Sequence, residues 1–244
     1  MGRAIESAAG SGQEFHVRGR VRRSAVPVGA PAEDGWSESA EKLLRPGDVV
    51  IEFSTPAGAR RVAELCAERG VPLVSGTTGL ADTEEAAMRA AADRVPVVRA
   101  ANFSLGVALL HRALEAALFS LPDDWDVEII ERHHRHKADS PSGTALALAR
   151  RVQGRRGLDD RAIRSGRSGR SSGRPAKEIG MHSLRAGSLV GDHTVVLAGE
   201  GEWIELRHVA QDRSAFANGA LAAARFAARA KPGFYTLEDV LAGR

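Results

Sequence analysis

Short apolar runs alternate with longer amphipathic stretches through the first part of the chain. Apolar runs of this length that are bounded by polar residues predict buried strands, and apolar positions three and four apart predict helices. Strands and helices are predicted in turn at 48–53, 57–69, 71–74, 81–94 and 95–99. Strands that recur with helices between them favour an α/β fold with a parallel, doubly wound sheet.

The pattern changes after a predicted helix at 104–119. An apolar run at 125–130 predicts a strand that opens a second sheet. Further strands are predicted at 179–184, 193–197 and 203–208, followed by helices at 213–230 and 236–241. The second part of the chain is therefore expected to be an α+β domain with a mixed or antiparallel sheet. At the start of the chain, a helix is predicted at 1–9 and a strand at 15–21.

The segment between the 125–130 strand and the next helix is rich in groups that carry protons. Three histidines, two arginines and one lysine lie between Arg132 and Lys137. So many cations in one loop repel one another unless an anion binds there. Histidine exchanges a proton near neutral pH, and a nearby lysine donates a proton or holds a negative charge. His133, His134 and Lys137 therefore predict acid catalysis on an anionic molecule.

The following residues predict a binding site for a carboxylate. Ser140 and Pro141 are typical of an N-cap and of a first helical residue. Backbone N–H groups near Gly143 and Thr144 would then point out of a helix N-terminus, which attracts anions. Gly143 has no side chain to obstruct a ligand, and Thr144 adds a hydroxyl donor.

The other polar residues have simpler interpretations. A metal site at the histidines is not expected, because no cysteine or second acidic cluster nearby completes a ligand set. Solvated or ion-paired side chains are expected at His136, Arg132 and Arg135. Structural or packing roles are expected for His111, His182, His193 and His208.

Composition excludes several classes of protein. The 244 residues are 43% hydrophobic, enough for a real core, and no apolar run is long enough to span a bilayer. Cys66 is the single cysteine and no secretory signal opens the chain, so a cytoplasmic protein is expected. The net charge is only +3, and the basic residues are scattered among 31 acidic ones, which does not favour nucleic-acid binding. The Arg-Ser-Gly segment at 164–174 lacks stacking aromatics and is expected to be a mobile loop.

The segment Glu131-Arg-His-His-Arg-His-Lys137, followed by Asp139-Ser-Pro-Ser-Gly-Thr-Ala145, resembles the signature of the 4-hydroxy-tetrahydrodipicolinate reductases, also called dihydrodipicolinate reductases. The resemblance implies an NAD(P)H-dependent oxidoreductase of the diaminopimelate route to lysine. It also implies a Rossmann-like nucleotide domain to which the C-terminal segment returns. We therefore expect a discontinuous nucleotide-binding domain, 1–104 with 214–244, and a substrate-binding and oligomerisation domain, 105–213.

The resemblance also implies roles for individual residues. His133 is expected to be the general acid, and Lys137 to bind a carboxylate and to be able to deliver the proton. His134, Gly143 and Thr144 are expected to hold the carboxylates of the dicarboxylate substrate. Sequence alone does not divide proton donation between His133 and Lys137. Relatives of this family assemble as homotetramers through the second sheet, and the same is expected here.

Cofactor contacts are expected in loops that follow the parallel strands, since ligands of such sheets lie beyond the carboxyl ends of the strands. Taken singly, each loop is also compatible with ordinary turn chemistry. By resemblance, Met1 matches the end of a glycine-rich phosphate loop. Also by resemblance, the residues expected at the nicotinamide and its ribose are Gly76, Thr77, Thr78, Ala100, Ala101, Asn102 and Phe103.

Arg22 and Arg23 follow the strand predicted at 15–21, where such folds read the 2′ position of the ribose. Arginine there favours NADPH weakly over NADH. Because the strand and glycine loop that precede the first helix in the family are not found, we expect the natural protein to begin upstream of Met1. Two alternatives stay open: a truncated, non-catalytic binding relic of the fold, and a related NAD(P)H reductase that acts on another small anionic substrate.

Overall fold

The structure is a computed structural model, and it describes residues 1–10, 14–21, 36–37, 39–170 and 173–243. The chain separates into two compact units, one formed by Met1–Leu105 with Ser214–Arg244 and one by Gly106–Arg213. Each unit has its own sheet and its own hydrophobic core. Arg22 and Arg23 lie outside the described residues.

Seven helices and eleven strands are present in the described part of the chain. In chain order they are α1 Gly2–Gly10, β1 Arg20–Val21, β2 Trp36–Ser37, β3 Val50–Glu52, α2 Pro56–Arg69, β4 Leu73–Ser75, α3 Asp82–Ala92, β5 Pro96–Arg99, α4 Leu105–Ser120, β6 Asp126–His133, α5 Gly143–Arg156, β7 Ile163–Ser165, β8 Ile179–Arg185, β9 Gly191–Gly199, β10 Glu202–Ala210, α6 Ser214–Ala227, β11 Gly233–Tyr235 and α7 Leu237–Ala242.

The first unit contains a four-stranded parallel sheet in the order β11-β5-β4-β3. Leu73 and Val97 point to the face that packs against α2 and α3. Helix α6 also contacts the strands, and it brings a row of small buried residues that includes Ala217 and Ala220. Glu52, Ser75 and Arg99 are aligned across three neighbouring strands. The loops after β3, β4 and β5 therefore leave the sheet at the same end, the carboxyl end of the strands.

The second unit contains a five-stranded mixed sheet in the order β10-β9-β6-β8-β7. Strands β6, β8 and β7 are parallel, and β9 runs antiparallel to both β6 and β10. Helices α4 and α5 pack on one face, where Leu114 and Leu148 meet Ile129 and Val195 in the core. Because side chains alternate along a strand, residues 126, 128, 130 and 132 of β6 point to the opposite face.

The expected fold class is confirmed, with an α/β unit and a second unit built on a mixed sheet. Strand β11 was not predicted, and the predicted strand at 15–21 is reduced to the two residues of β1. Among the described residues, no helix combines the length and apolar character needed to cross a membrane.

The start of α5 differs from the prediction. Ser142, not Ser140, is the N-cap residue, and its Oγ accepts a hydrogen bond from the N–H of Ala145 at 3.2 Å. Helix α5 begins at Gly143, so Pro141 is not the first helical residue; the Ser140–Pro141 peptide bond is cis. Both serines satisfy the sequence preference for an N-cap, and only the three-dimensional structure decides between them.

The segment that was expected to be a mobile loop contains ordered structure in its described part. Its first two residues, Arg164 and Ser165, belong to β7, which pairs with β8, and a 3-10 turn at Asp160–Ala162 directly precedes that strand. Arg167 and Arg174 both bind the carboxylate of Glu128, on β6. Ion pairs to the sheet hold this polar segment, which lacks the apolar residues needed for a core of its own.

Candidate active site

Strand β6 places two titratable side chains on the helix-covered face of the sheet. Glu131 and His133 alternate with outward residues, so both point inward; Glu131 is 0% exposed and His133 is 8% exposed. His133 Nδ1 lies 2.5 Å from Glu131 Oε2. The sequence prediction put His133 after the end of the strand, whereas it is the last residue of β6.

Arg185, at the end of β8, compensates the buried charge of Glu131. Its Nη1 donates to Oε2 at 2.8 Å and its Nη2 to Oε1 at 2.7 Å, a bidentate pair. Burial alone would raise the pKa of Glu131, but hydrogen bonds from Arg185, His133 and Ser183 lower it to about 2. Glu131 is therefore a carboxylate throughout the neutral pH range.

The N-cap of α5 belongs to the same network. The backbone N–H of Ser142 donates to Glu131 Oε1 at 3.2 Å, and Ser142 Oγ lies 3.0 Å from His193 Nε2. His193 is 3% exposed, and its ring meets that of His133 edge to face with centroids 5.1 Å apart. Burial, and then the neighbouring His133, lowers the pKa of His193 to about 4, so His193 is neutral near pH 7.

The two nitrogens of His133 have different surroundings. Because ionised Glu131 can only accept a hydrogen bond, Nδ1 of His133 carries a proton. Nε2 has no hydrogen-bond partner within the chain segments that the structure describes. A Cβ atom added to Gly191 would lie 3.3 Å from Nε2, closer than nearly all real contacts of this kind. The absence of a side chain at Gly191 keeps this edge of the ring uncrowded.

The predicted substrate residues occupy the turn after β6 and the start of α5. Lys137 Nζ pairs with Asp139 Oδ1 at 2.8 Å, and the N–H of Lys137 donates to the carbonyl of His134 at 3.1 Å. Gly143 is exposed, with open space around the position of a Cβ atom, and Thr144 is half-buried. All five predicted catalytic and substrate residues lie in the second unit, within one short stretch of chain.

The first unit presents a second polar network where β3 and β4 end. Glu52 is 5% exposed, and its Oε2 accepts from Thr77 Oγ1 at 2.7 Å and from Ser54 Oγ at 2.8 Å. The hydroxyl of Ser75 donates to the other carboxylate oxygen. Thr77 Oγ1 also accepts from the N–H of Ser54 at 2.7 Å. The side chain of Thr77 thus connects the loops that follow β3 and β4.

The neighbouring residues of these loops are small or close-packed. A Cβ atom on Gly76 would lie 2.1 Å from the ring of Phe53, so only glycine fits there. Phe103 is 1% exposed and packs edge to face on Phe53, with centroids 5.5 Å apart. Of the predicted cofactor residues that the structure describes, Thr78 and Ala101 are exposed.

Three further predicted cofactor residues make local hydrogen bonds to backbone groups in the structure. The N–H of Ala100 donates to the carbonyl of Ser75 at 3.2 Å. Asn102 Oδ1 accepts from the N–H of Ser104 at 2.9 Å, just before α4. Met1 directly precedes α1, and its carbonyl accepts from the N–H of Ala4 at 2.9 Å.

Sequence reasoning missed the roles of four residues that organise the stretch with the predicted catalytic residues. Glu131 was quoted as part of the motif without a role, and His193 was expected to be structural only. The available signal was an acidic residue two positions before a histidine on a predicted strand, which places both on one face. The missed residues are Glu131, Ser142, Arg185 and His193.

Across the described chain, no group of three or more His, Cys, Asp or Glu side chains is arranged to hold a metal ion.

Two family models match the chain over most of its length. The model described as "Dihydrodipicolinate reductase, N-terminus" covers residues 1–103, and the one described as "Dihydrodipicolinate reductase, C-terminus" covers residues 106–241. The boundary between the two models falls close to the boundary between the two units.

Individual relatives agree with the family models. A protein of Thermomicrobium roseum named 4-hydroxy-tetrahydrodipicolinate reductase is 47% identical over 99% of this chain and 95% of its own length. The protein of the same name from Zymomonas mobilis is 44% identical over 99% of this chain and 92% of its own. The solved structure of dipicolinate-bound dihydrodipicolinate reductase from Paenisporosarcina sp. TG-14 matches with a TM-score of 0.79 and 25% identity, over 98% of this chain and 94% of that one. With family models across both units and relatives matched over nearly their whole length, the chain belongs to the dihydrodipicolinate reductase family.

Proposed function

We propose that this chain catalyses the NAD(P)H-dependent reduction of 4-hydroxy-tetrahydrodipicolinate to tetrahydrodipicolinate, a step of lysine and diaminopimelate biosynthesis. Membership of the family supports the reaction, because curated relatives that carry the substrate in their name match nearly the whole chain. The observation within the structure that carries the proposal is the buried Glu131–His133 pair beside the N-terminus of α5. It joins a proton donor to an anion-binding helix end in one unit.

The substrate is a dicarboxylate, and the second unit offers groups that suit two carboxylates. The N-terminal end of α5, where Gly143 is exposed and Thr144 half-buried, is proposed to hold one of them. His134 and Lys137 are proposed to hold the other. Lys137 pairs with Asp139, which is 59% exposed; a substrate carboxylate can replace this exposed partner at small cost, since surface ion pairs contribute little stability.

The proton of the reduction is proposed to come from His133, with Lys137 as a second donor. Glu131 accepts a hydrogen bond from Nδ1, and Nε2 is therefore the ring nitrogen from which the protonated ring can donate. General acid catalysis of this kind contributes a rate factor of about 10² to 10⁴. The neutral His193 beside His133 adds no competing positive charge.

NAD(P)H supplies a hydride when bound, and the residues at the end of β3, β4 and β5 fit such a group. The register of the strands brings their carboxyl ends to the same end of the sheet. At position 76 only glycine fits, because a side chain there would collide with the ring of Phe53. Small or exposed residues then line that end, as a flat ring and a ribose require. Glu52 fixes the loops through Ser54, Ser75 and Thr77. The proposed contacts are Met1, Gly76, Thr77, Thr78, Ala100, Ala101, Asn102 and Phe103.

A preference for NADPH over NADH is part of the proposal. Arg22 and Arg23 would provide positive charge to a 2′-phosphate where an acidic residue would instead read a ribose hydroxyl. Replacing both by glutamate should lower the NADPH/NADH ratio of kcat/KM, and the single variants should each give part of the change. An unchanged ratio would reject the role of these arginines.

A homotetramer assembled through the second sheet is also proposed. Leu206 points into the core, so Trp203 and Val209 lie on the face of β10 that faces away from α4 and α5. Trp203 is 69% exposed, Val209 48% and Leu184 of β8 45%. Exposed apolar residues on a face not covered by helices favour association. Light scattering with size-exclusion chromatography should give four copies, and a monomer at micromolar concentration would contradict this assembly.

The function is tested by following NADPH and NADH oxidation with 4-hydroxy-tetrahydrodipicolinate and identifying the product by mass spectrometry. The proposal expects turnover with this substrate and a far lower kcat/KM with other small anionic imines. Preference for another imine would favour the alternative of a related reductase with a different substrate. Cofactor binding without turnover of any member of the panel would favour the alternative of a non-catalytic relic.

A further inference from the structure

We infer that Glu131 is a positioning residue for the reduction: one carboxylate oxygen orients His133 and the other fixes the backbone of Ser142 at the start of α5. The proton donor and the carboxylate-binding helix end are thereby held in one arrangement before substrate binds. This inference rests on the proposed function, because it assigns a role to Glu131 only through His133 and α5.

The first contact determines which nitrogen of His133 can act. Glu131 Oε2 lies 2.5 Å from Nδ1, and a carboxylate has no proton to donate. Neutral His133 is therefore the Nδ1–H tautomer, and the acid form presents its second proton at Nε2. Gly191 leaves space on that side of the ring, whereas a Cβ atom there would come within 3.3 Å of Nε2.

The second contact reaches the helix. Glu131 Oε1 accepts from the N–H of Ser142 at 3.2 Å, and Ser142 Oγ in turn accepts from the N–H of Ala145 at 3.2 Å. Ser142 is 2% exposed, so its backbone cannot turn to water instead. The N–H groups of Gly143 and Thr144 follow directly, and their direction depends on where Ser142 is held.

Arg185 keeps the carboxylate in this position. Its two terminal nitrogens bind both oxygens of Glu131, and Nη2 also donates to the carbonyl of Asp139, near the far end of the catalytic loop. A bidentate guanidinium–carboxylate pair has little rotational freedom. Glu131 and Arg185 together connect the last residue of β6 with both ends of the loop that carries Lys137.

The test compares Glu131→Gln with Glu128→Gln. Glu128 lies on the same strand but on the opposite face, and it also binds arginines and a histidine through its carboxylate. Both variants keep the shape of the side chain and remove one arginine-bound charge. The expected result is a fall in kcat of about 10- to 100-fold for Glu131→Gln, the range seen when the partner that orients a functional histidine is lost. Glu128→Gln should stay within about two-fold of the unmodified protein.

Two further measurements separate positioning from folding. NADPH affinity in Glu131→Gln should remain within about two-fold, because the cofactor residues lie in the other unit. Nitrogen-15 NMR of histidine should show that the neutral ring of His133 carries its proton at Nδ1 in the unmodified protein and loses this strict preference in the variant. If the lone variant does not fold, Glu131→Gln/Arg185→Gln removes both charges and leaves no unpaired guanidinium.

The inference is overturned if a folded Glu131→Gln or double variant keeps kcat within about three-fold. It is also overturned if Glu128→Gln loses as much activity as Glu131→Gln, since the loss would then reflect sheet stability. Turnover by the unmodified protein separates these outcomes from failure of the proposed function. If the unmodified protein does not turn over the substrate, the proposed function is wrong. If it does, the results for the variants test the role of Glu131 alone.

Discussion

Strand β6 carries two clusters of histidine, glutamate and arginine, one on each face of the sheet. The inner cluster consists of Glu131, His133 and Arg185, and the outer cluster of Glu128, His182, Arg167 and Arg174. The carboxylate–histidine distance is 2.5 Å in the inner cluster and 2.7 Å in the outer one. In both clusters burial would raise the pKa of the glutamate, and hydrogen bonds from arginine and histidine lower it to about 2.

The two clusters differ in what else they hold. The inner carboxylate is 0% exposed and binds the backbone of Ser142 at the start of a helix, whereas the outer carboxylate is 22% exposed and anchors a polar chain segment. A lowered pKa and an ion pair therefore do not identify a catalytic site by themselves. What distinguishes the inner cluster is the link through Glu131 from His133, whose Nε2 has no partner among the described residues, to the N-terminus of α5, the proposed carboxylate site.

The largest expected effect comes from removing the histidine of the inner cluster. His133→Ala should lower kcat by about 10² to 10⁴, because the proposed general acid is lost. His182→Ala, which removes the same group from the outer cluster, should leave kcat within about two-fold. Steady-state NADPH oxidation measures both. Equal losses in the two variants would show that the clusters do not differ in function.

Stability at acid pH should respond to both glutamates. A carboxyl group with a lowered folded pKa stabilises the protein above its unfolded pKa of about 4.5, and this contribution disappears as the pH falls towards 2. For the fully buried Glu131 the shift corresponds to a contribution on the order of 3 kcal/mol, and the partly exposed Glu128 contributes less because solvent screens its ion pairs. Urea unfolding at pH 6 and pH 3 should show a smaller loss of stability in Glu131→Gln than in the unmodified protein. Glu128→Gln should change the loss less, because Glu128 is more exposed; the reverse order would contradict the burial argument.

A glycine beside each cluster allows a finer comparison. Gly191→Ala places a methyl group 3.3 Å from His133 Nε2 and should lower kcat/KM by about 10-fold. Gly180→Ala places one 1.7 Å from Glu128 Oε2, which forces that side chain to move. It should destabilise the fold by about 1 to 3 kcal/mol while kcat per folded molecule is kept. Activity loss in Gly180→Ala at full folding would show that the outer face influences catalysis.

The smallest effect is expected at Arg174. This side chain binds Glu128 at 3.0 Å, Asp126 at 2.6 Å and the carbonyl of Val127 at 3.0 Å. Arg174→Gln should speed proteolysis within the Arg-Ser-Gly segment and lower stability by about 1 kcal/mol or less. Turnover should not change. Unaltered proteolysis would mean that β7 alone, through its pairing with β8, holds the segment.

The periodic part of the fold was predictable because it depends on local sequence. Alternation of apolar runs with helices gave β3, α2, β4, α3 and β5 to within a few residues, and the motif around His133 marked the loop of interest. Strand β11 was not recognised, because its three residues, Gly233–Tyr235, have no periodicity to detect.

The interactions that organise the inner cluster depend on distant residues. Arg185 lies 54 positions from Glu131 along the chain, and His193 comes next to Ser142 only through the register that pairs it with Glu131. The sequence indicates a structural role for His193, but it does not show that Ser142 is the residue that His193 contacts. The same holds for the Arg-Ser-Gly segment, whose arginines are ordered by glutamates on a separate strand.

The central claim, that the end of β6 and the loop after it bind the substrate and supply the proton of the reduction, is tested most directly by Lys137→Ala. NADPH binding is measured by fluorescence titration, and turnover of 4-hydroxy-tetrahydrodipicolinate is measured on the same sample. We expect NADPH affinity within about two-fold of the unmodified protein and kcat/KM lowered by about 10² or more, because Lys137 acts on the substrate only. Activity within a few-fold of the unmodified protein would contradict this assignment of the active site.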